Sequence, residues 1–213
     1  MSGNTMSDCR QHRCPPRRRL GAWLLFLMRG LDVLLPVPNG DAIREASDLA
    51  GLSVRQAAPG DRAALEAMFG RCSRETVYRR FHGHVTAIPA AYLAEGLAGV
   101  PEHFALVAVD GPGAVALASC RQDEPSGAVD RAATSAELGI LVEDGWQRCG
   151  LGGLLLRRLV EHADSRGLSI LHAQVLAEQV WLEKLLGTFG KCSSAFRSGT
   201  REITLHRADG DIA

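Results

Sequence analysis

The sequence predicts a mixed α/β domain in which most strands are antiparallel and one pair is parallel. Residues 104–109 and 114–120 are apolar runs joined by an Asp-Gly-Pro-Gly turn, which is typical of an antiparallel hairpin. Residues 137–142 form a further strand pattern, and a helical pattern and a strand at 168–176 follow it, an order that favours a parallel crossover. A hairpin followed by a strand–helix–strand unit indicates a mixed sheet with helices on its faces.

Three helices are expected between a first strand at residues 52–56 and the hairpin. Asp61 stands at the start of the first helix and suits the role of its cap. Ser73 opens the second helix. Pro89 opens the third, over residues 89–97, because proline fits the first turn of a helix.

The end of the chain is predicted to add one helix and one more hairpin. Residues 178–186 have helical character, with Val180, Trp181 and Leu185 expected to face inward. Residues 191–205 contain two short strand patterns around a Ser-Gly-Thr turn.

The 213 residues divide into an extension and linker at 1–51, one folded domain at 52–207 and a tail at 208–213. The extension is basic at its start and then apolar at residues 20–28, which is the outline of a signal peptide. That apolar run is too short to span a bilayer. We expect a dispensable or mis-assigned extension, with export and membrane contact as the alternatives.

Charge and cysteine content exclude several classes of function. Lys+Arg and Asp+Glu both number 24, so the chain shows no global preference for nucleic acid. The six cysteines contain no C-x-x-C pair and predict neither a disulfide framework nor a zinc site. Cys9, His12 and Cys14 are the nearest approach to a metal site, but no fourth ligand is evident. Reduced cysteines are typical of a cytoplasmic protein.

Residues 137–153 are the most informative about function, with the pattern of a strand, a turn and the start of a helix. A helix start leaves backbone N–H groups without partners and carries partial positive charge. Gly150 and Gly152 have no side chain that would keep a ligand away from these amides. A phosphate group is therefore the expected ligand, and a glycine-softened helix start without a ligand is the alternative.

Two common phosphate-binding motifs do not fit this stretch. The dinucleotide fingerprint requires a third glycine three residues after Gly152, where Leu155 stands. The P-loop requires Gly-Lys-Ser/Thr, and residues 137–153 contain no lysine. A nucleotide-binding domain of another kind stays open as an alternative.

The remaining pattern, Gln-Arg-Cys-Gly-Leu-Gly at residues 147–152, resembles the Gln/Arg-x-x-Gly-x-Gly/Ala loop of the GNAT acetyltransferases. The predicted order of elements over 52–207 is similar to that of the same family. The resemblance implies a mixed, mostly antiparallel sheet flanked by helices, with a splayed central pair of parallel strands. It also implies an N-acetyltransferase that uses acetyl-CoA and transfers the acetyl group directly, in a ternary complex, to a protein lysine or a small amine.

The resemblance assigns the acetyl-CoA site to three places in the sequence. The strand before the loop pairs its backbone with pantetheine, the loop amides bind the pyrophosphate, and the residue after the next strand contacts the cofactor. The residues at these places are Ile140, Leu141, Val142, Gln147, Arg148, Cys149, Gly150, Leu151, Gly152, Gly153 and Gln179. The family usually has asparagine where Gln179 stands.

Glu137 is the catalytic candidate, because it is an acid within an otherwise apolar strand. A carboxylate held partly out of water suits the role of general base for an amine. Many GNAT enzymes place a glutamate on this strand for that purpose. The alternative is an outward-facing glutamate with no chemical role.

A second, weaker similarity covers residues 73–81, which resemble the Ser-x-Glu-(Ser/Thr)-x-Tyr-x-Arg-Phe stretch of bacterial GNAT enzymes of the protein-lysine type. In the family this stretch flanks the acceptor side. From the residues alone, Tyr78 and Phe81 are expected in the core and Arg80 on the surface.

The sequence also departs from the family. The tyrosine general acid expected in the last helix is absent, and the usual Gly-Phe is reversed as Phe189-Gly190. Ser193, Ser194, Cys192 or water are left open as the proton source. A catalytically degenerate acetyl-CoA sensor is therefore the alternative function, and a homodimer is left open.

Overall fold

The computed structural model describes residue 49 and residues 51–123 and 134–207. Within these ranges the chain forms seven strands and five α-helices. The strands are β1 Leu52–Gln56, β2 His103–Asp110, β3 Gly113–Gln122, β4 Ser135–Val142, β5 Ile170–Leu176, β6 Lys191–Arg197 and β7 Thr200–His206. The helices are α1 Arg62–Arg71, α2 Arg74–Phe81, α3 Ala90–Ala98, α4 Leu151–Ser165 and α5 Val180–Leu186. Residues 1–48, the tail from 208 and most of the loop expected at 121–132 lie outside the described residues.

All seven strands form one sheet in the order β1-β2-β3-β4-β5-β7-β6. Every neighbouring pair is antiparallel except β4 and β5, which are parallel. The predicted mixed sheet is therefore confirmed, including the hairpin of β2 and β3 and the last hairpin of β6 and β7.

The sheet has an apolar core on each face. Successive strand residues point to opposite faces, and β4 shows this alternation. Leu138 belongs to the cluster that contains the buried leucines of α4 and α5. Leu141 belongs to the other cluster, with Leu65 of α1 and Leu93 of α3. Helices α1–α3 thus cover one face, and α4 and α5 cover the other.

The predicted cap at Asp61 is wrong for α1. Asp61 occupies the position before α1 but makes no side-chain hydrogen bond to the helix. Its carboxylate instead accepts hydrogen bonds from Arg55, at 2.6 and 2.7 Å, and from the Ala58 amide at 2.9 Å. The hydrogen bond from Arg55 is the main cause that lowers the pKa of Asp61. Because Arg55 of β1 donates to both carboxylate oxygens of Asp61, the side chain does not cap α1.

The inward face predicted for α5 is wrong for Val180 and Trp181, whereas Leu185 is partly buried and packs against the core as predicted. Val180 and Trp181 are 46% and 50% exposed, whereas Leu182 and Leu186 are buried. The two leucines are four residues apart and therefore share one face of this short helix. That face packs on the cluster formed with α4, and a seven-residue helix covers too little of the sheet to bury a second face.

None of the helices in the described ranges combines the length and apolar character needed to cross a bilayer.

Truncating a buried leucine of α4 should destabilise the domain strongly. Leu155 is fully buried (0% exposed), so Leu155→Ala should lower the free energy of unfolding by about 2–5 kcal/mol, through lost burial and a residual cavity. Leu154→Ala is the matched control, because the neighbouring leucine is only partly buried. Urea denaturation of both variants would measure the difference, and equal losses would contradict the assigned inner face.

Candidate functional site

The two parallel strands separate near the middle of the sheet. β4 pairs with β5 only at Ser135, Ala136 and Glu137. Beyond Glu137, β4 stays paired with β3 as far as Val142, and β5 stays paired with β7 as far as Leu176. The edge of β4 that faces β5 therefore has no strand partner over residues 138–142, which include Ile140, Leu141 and Val142. The predicted splayed pair is present.

The loop after β4 leads to the N-terminus of α4 at the open end of this gap. Arg148 and Gly150 have positive φ angles of 60° and 93°, and Gly150 is the residue before the helix. The left-handed region that Gly150 occupies is one that glycine adopts at little cost. These two residues turn the chain sharply into α4.

The first turn of α4 presents backbone amides that the helix does not use. The Leu154 amide donates to the Gly150 carbonyl at 3.0 Å, so Leu151, Gly152 and Gly153 precede this helical hydrogen bond. A Cβ built at Gly152 would meet no atom within 4 Å. The helix start therefore faces open space and fits an anionic group.

A carboxylate fixes this loop to the start of α2. Asp144 accepts hydrogen bonds from the amide and hydroxyl of Ser73, both at 2.7 Å, and from the Thr76 hydroxyl at 2.8 Å. Burial alone would raise the pKa of Asp144, but the hydrogen bonds from Ser73 and Thr76 outweigh burial and lower it. The Ser73 hydroxyl also accepts from the Thr76 amide at 3.2 Å, which confirms Ser73 as the start of α2.

An ion pair between Arg71 and Glu143 holds the end of β4. Arg71, at the end of α1, donates to both carboxylate oxygens of Glu143 at 3.0 and 2.7 Å. It also donates to the Ala114 carbonyl of β3 at 2.8 Å. The loop is therefore tied to α1, α2 and β3 before it reaches α4.

The Gln147 side chain is part of this bracing. Its Nε2 donates to the Thr76 hydroxyl at 2.9 Å and to the Val142 carbonyl at 3.0 Å. The predicted role of Gln147 in cofactor binding stays a prediction, but its amide group already has two partners within the chain. The first residue of the loop pattern thus supports the shape of the loop.

The thiols of the described cysteines are protected. Cys149 is buried and its Sγ donates to the Trp146 carbonyl at 2.8 Å. Burial raises the pKa of Cys72 and of Cys120 to about 12. Burial also raises the pKa of Cys192, and Glu183 adds to the effect. A low-pKa nucleophile is therefore not found among Cys72, Cys120 and Cys192.

Glu137 lies at the closed end of the gap, as the last residue of β4 that pairs with β5. Its carboxylate pairs with Arg121 at 2.9 Å, and its side chain is 35% exposed. The neighbouring residue on β5 in the same row is His172. The environment of Glu137 is thus polar and open to water, unlike the apolar strand surroundings that the sequence indicated.

Gln179 lies on the other side of the gap, at the start of α5. Its side-chain Oε1 accepts a hydrogen bond from the Leu176 backbone amide at 3.2 Å. The backbone amide of Gln179 donates to the Leu176 carbonyl at 2.9 Å. Gln179 therefore closes the turn after β5, and its predicted contact with the cofactor stays a prediction.

In α2 the structure exchanges the environments predicted for Tyr78 and Arg80. Tyr78 is 40% exposed, whereas Arg80 is half-buried and lies against Gly139 of β4. Val77 and Phe81 pack on the α1–α3 core, and Arg80 lies on the same side of the helix, three residues after Val77. Glycine within a strand often marks the close approach of another group, so Gly139 was the available signal.

The candidates for a proton donor on the last hairpin lie far from Glu137. Cys192, Ser193 and Ser194 are on β6, which is three strands away from β4, or about 14 Å at the usual strand spacing. Ser194 donates to Glu183 at 3.0 Å. The position of β6 removes these residues from the immediate surroundings of the carboxylate.

Buried and paired histidines are nearer. His103 is buried (2% exposed), and burial lowers its pKa while Glu95 opposes that effect. His172 lies 3.6 Å from Asp123. Over residues 51–123 and 134–207, no group of three or more His, Cys, Asp or Glu is arranged to hold a metal ion, and Cys9, His12 and Cys14 lie outside these ranges.

The sequence that forms the divergent strands and the loop matches a known protein family. Residues 65–189, more than half of the chain, match the acetyltransferase (GNAT) family.

Solved structures share the fold at low identity. The GNAT domain of PAT from S. lividans has a TM-score of 0.62 at 23% identity, over 72% of this chain and 89% of that one. Salmonella typhimurium yncA, solved with its cofactor acetyl-CoA, has a TM-score of 0.55 at 18% identity, over 76% and 96%. The ribosomal-protein-S18-alanine N-acetyltransferase from Escherichia coli has a TM-score of 0.53 at 18% identity, over 76% and 98%.

Removing the charge of Asp144 should loosen the loop and change the acid stability. We expect Asp144→Asn to cost about 1–2 kcal/mol of unfolding free energy at pH 7, discounted for exposure, because the carboxylate loses charge-assisted hydrogen bonds. Since folding lowers the pKa of Asp144, this contribution is present above the unfolded value of about 3.9 and is lost as pH falls through the folded value. Denaturant unfolding between pH 7 and pH 3 would measure it.

Glu178→Gln is the control, because Glu178 is exposed. An Asp144→Asn effect that did not shrink in acid would contradict this role of the carboxylate.

Proposed function

The chain belongs to the acetyltransferase (GNAT) family, and on that premise we propose that it is an N-acetyltransferase that acetylates a primary amine by direct attack. Family membership makes it an acetyltransferase with acetyl-CoA as its co-substrate. The acceptor, the direct attack and the roles of individual residues are the proposal. The divergence of β4 and β5 in front of the first turn of α4 supports it most strongly.

The gap suits acetyl-CoA at both of its ends. The amides of Leu151, Gly152 and Gly153 are placed to bind the pyrophosphate, since several amides together are needed where each anion contact is worth only about 0.3–1 kcal/mol. The loop residues Arg148, Cys149 and Gly150 lead into them. The unpaired edge of β4 at residues 140–142 offers backbone groups to the pantetheine amides, as an added strand would require.

We propose that the proton transfer takes place at the closed end of the gap, where Glu137 lies. The amine nitrogen forms a bond with the acetyl carbonyl carbon, and the bond from that carbon to the CoA sulfur breaks. Glu137, directly or through water, accepts the proton that the attacking nitrogen loses. The thiolate of CoA takes a proton from solvent, since the hydroxyls of β6 lie three strands away.

A catalytically degenerate sensor that binds acetyl-CoA without turnover is the second candidate. Two observations favour it. The sequence has no tyrosine after Tyr92, and the Gln179 side chain is turned onto the Leu176 amide. Acetyl-CoA binding without release of CoA in the presence of amines would support this alternative.

We infer that the catalytic domain spans residues 52–207 and acts in the cytoplasm. Acetyl-CoA is an intracellular metabolite, and among the described residues Cys72, Cys120 and Cys192 are free thiols, which suits a reducing compartment.

A carboxylate at position 152 should block acetyl-CoA without unfolding the protein. Gly152→Asp adds a negative charge to the first turn of α4, where it stabilises the helix but repels a diphosphate. The space beside Gly152 is open, so Gly152→Ala is the matched control. We expect at least about a 10-fold loss of acetyl-CoA affinity for Gly152→Asp alone.

Calorimetric titration with acetyl-CoA and thermal unfolding of each variant would make the measurement. Binding by Gly152→Asp at the wild-type affinity would remove this helix start from the site.

Replacing the proposed base should slow turnover and leave cofactor binding intact. Glu137→Gln keeps the size of the side chain but cannot accept the proton, so kcat should fall by about 10²–10⁴-fold. The KM for acetyl-CoA should stay unchanged. Glu178→Gln is the control at an exposed position. Unchanged kcat across neutral and high pH would exclude Glu137 from the mechanism.

A further inference from the structure

The side chain of Arg80, a residue of α2, lies against β4, the strand that forms one wall of the gap. A Cβ built at Gly139 would be 2.5 Å from the Cζ of Arg80, so the guanidinium occupies the space above the backbone at that position. Any residue other than glycine at 139 would displace it. Gly139 lies two residues from Glu137 along β4, and both positions project to the same face of the sheet.

The contacts of Arg80 fix its position without neutralising its charge. Its Nη2 donates to the Tyr92 hydroxyl at 3.0 Å, and that hydroxyl shares a hydrogen bond of 2.6 Å with buried Ser119. The guanidinium carbon is 5.1 Å from the centre of the Phe81 ring and 5.2 Å from that of Tyr92. These contacts hold the side chain flat between α2, α3 and the sheet.

Among the residues that the structure describes, no carboxylate lies within ion-pair distance of Arg80. The nearest acid on the strand, Glu137, is paired with Arg121. Burial is the main cause that lowers the pKa of His103, and Glu95 opposes this effect. The positive charges of Arg121 and Arg80 lower the pKa of His103 further. This face of β4 thus carries one positive charge that no carboxylate of the described residues pairs with.

A guanidinium has five N–H donors, and within residues 51–123 and 134–207 the only side-chain hydrogen-bond partner of Arg80 is Tyr92. None of its nitrogens is among the fully buried atoms that lack a partner in the described chain, so the donors that Tyr92 does not use keep some exposure to solvent. A planar guanidinium matches a carboxylate through two parallel hydrogen bonds. Partial burial strengthens such a pair relative to one in water.

The position of Arg80 argues against a role with the pyrophosphate. Gly139 is three residues from Val142, the end of β4, which is about 10 Å at the usual rise per residue. The first turn of α4 follows still later in the chain. Arg80 therefore lies toward the closed end of the gap, near Glu137.

We propose that Arg80 is the anchor for a carboxylate on the acceptor, so that the enzyme acetylates a small amino acid. Residues 137 and 139 are about 6–7 Å apart along the strand. An acceptor whose amine and carboxylate are separated by one or two carbons bridges Glu137 and Arg80. Tyr92 and Ser119 position the guanidinium. This proposal rests on the proposed N-acetyltransferase function.

The test compares amino acids with their uncharged amides as acceptors. Initial rates of CoA release are measured for leucine and leucinamide, phenylalanine and phenylalaninamide, and a lysine-containing peptide. We expect kcat/KM for the amino acids to exceed that for the amides by at least about 10-fold, the usual effect of one charge-assisted pair. Arg80→Met should remove this preference and leave the KM for acetyl-CoA unchanged.

Arg79→Met is the matched control. Arg79 is the preceding residue of α2, but it is exposed and pairs with Glu75 on the outer side. Arg80→Lys tests geometry, because it keeps the charge and loses the planar pair, and it should recover only part of the preference. Circular dichroism and thermal unfolding would show whether each variant is folded.

If no amine of the panel is acetylated, a binding measurement tests whether Arg80 binds a carboxylate. Calorimetry would compare N-acetylleucine with N-acetylleucinamide as ligands of the protein saturated with CoA. Tighter binding of the carboxylate, lost in Arg80→Met but kept in Arg79→Met, supports the anchor.

Three results would overturn it: no preference for the carboxylate, a preference that survives Arg80→Met, or an equal fall in kcat for all acceptors. The last would place Arg80 at the reacting carbonyl instead. Failure of the wild-type protein to bind acetyl-CoA would overturn the proposed function, and the anchor with it.

Discussion

The end of the β4–β5 pairing at Glu137 is the constraint on which the site depends. Both strands stay hydrogen-bonded to their outer neighbours, β3 and β7, well beyond that point. Each strand is thus paired on its outer side, while beyond Glu137 the facing backbone groups of β4 and β5 have no strand partner. Because unpaired backbone groups are costly when buried, we propose that the pantetheine of acetyl-CoA pairs with the backbone in this gap.

The polar contacts of the loop stabilise this geometry from one side. Asp144 and Glu143 are held by residues of α1 and α2, and Gln147 bridges Thr76 to the end of β4. Contacts within the chain therefore hold the loop that leads from β4 into the first turn of α4. Residues that belong to the family-like loop pattern thus have two roles. Gly150 and Gly152 leave amides accessible, whereas Gln147 maintains the shape of the loop.

The opposite end of the gap has a mixed electrostatic character. Glu137 is partly exposed and paired with Arg121, and Arg80 brings a second arginine to the same face. A cationic acceptor such as a lysine side chain would approach two arginines and one carboxylate. An acceptor with its own carboxylate would add a negative charge beside these arginines, which is why we propose an amino acid, and not a polyamine or a basic peptide, as the acceptor.

The sequence by itself determined the order of the elements and the position of the glycine-containing helix start that we propose binds an anion. Alternation in β4, the leucines of α4 and the glycines between them are local patterns, and each acts within a few residues. The same local rules failed where distant residues compete. The carboxylate of Asp61 pairs with Arg55 and does not cap α1. In α5, Leu182 and Leu186 are buried, whereas Val180 and Trp181 are exposed.

Only the tertiary structure decided that Arg80 faces β4, that Gln147 binds Thr76, and that the strands part after Glu137. Gln147 and Thr76 are 71 residues apart, and Arg80 meets Gly139 across a similar span of chain. No local periodicity encodes such contacts, because they form only when the packing of α2 on the sheet brings those backbones together.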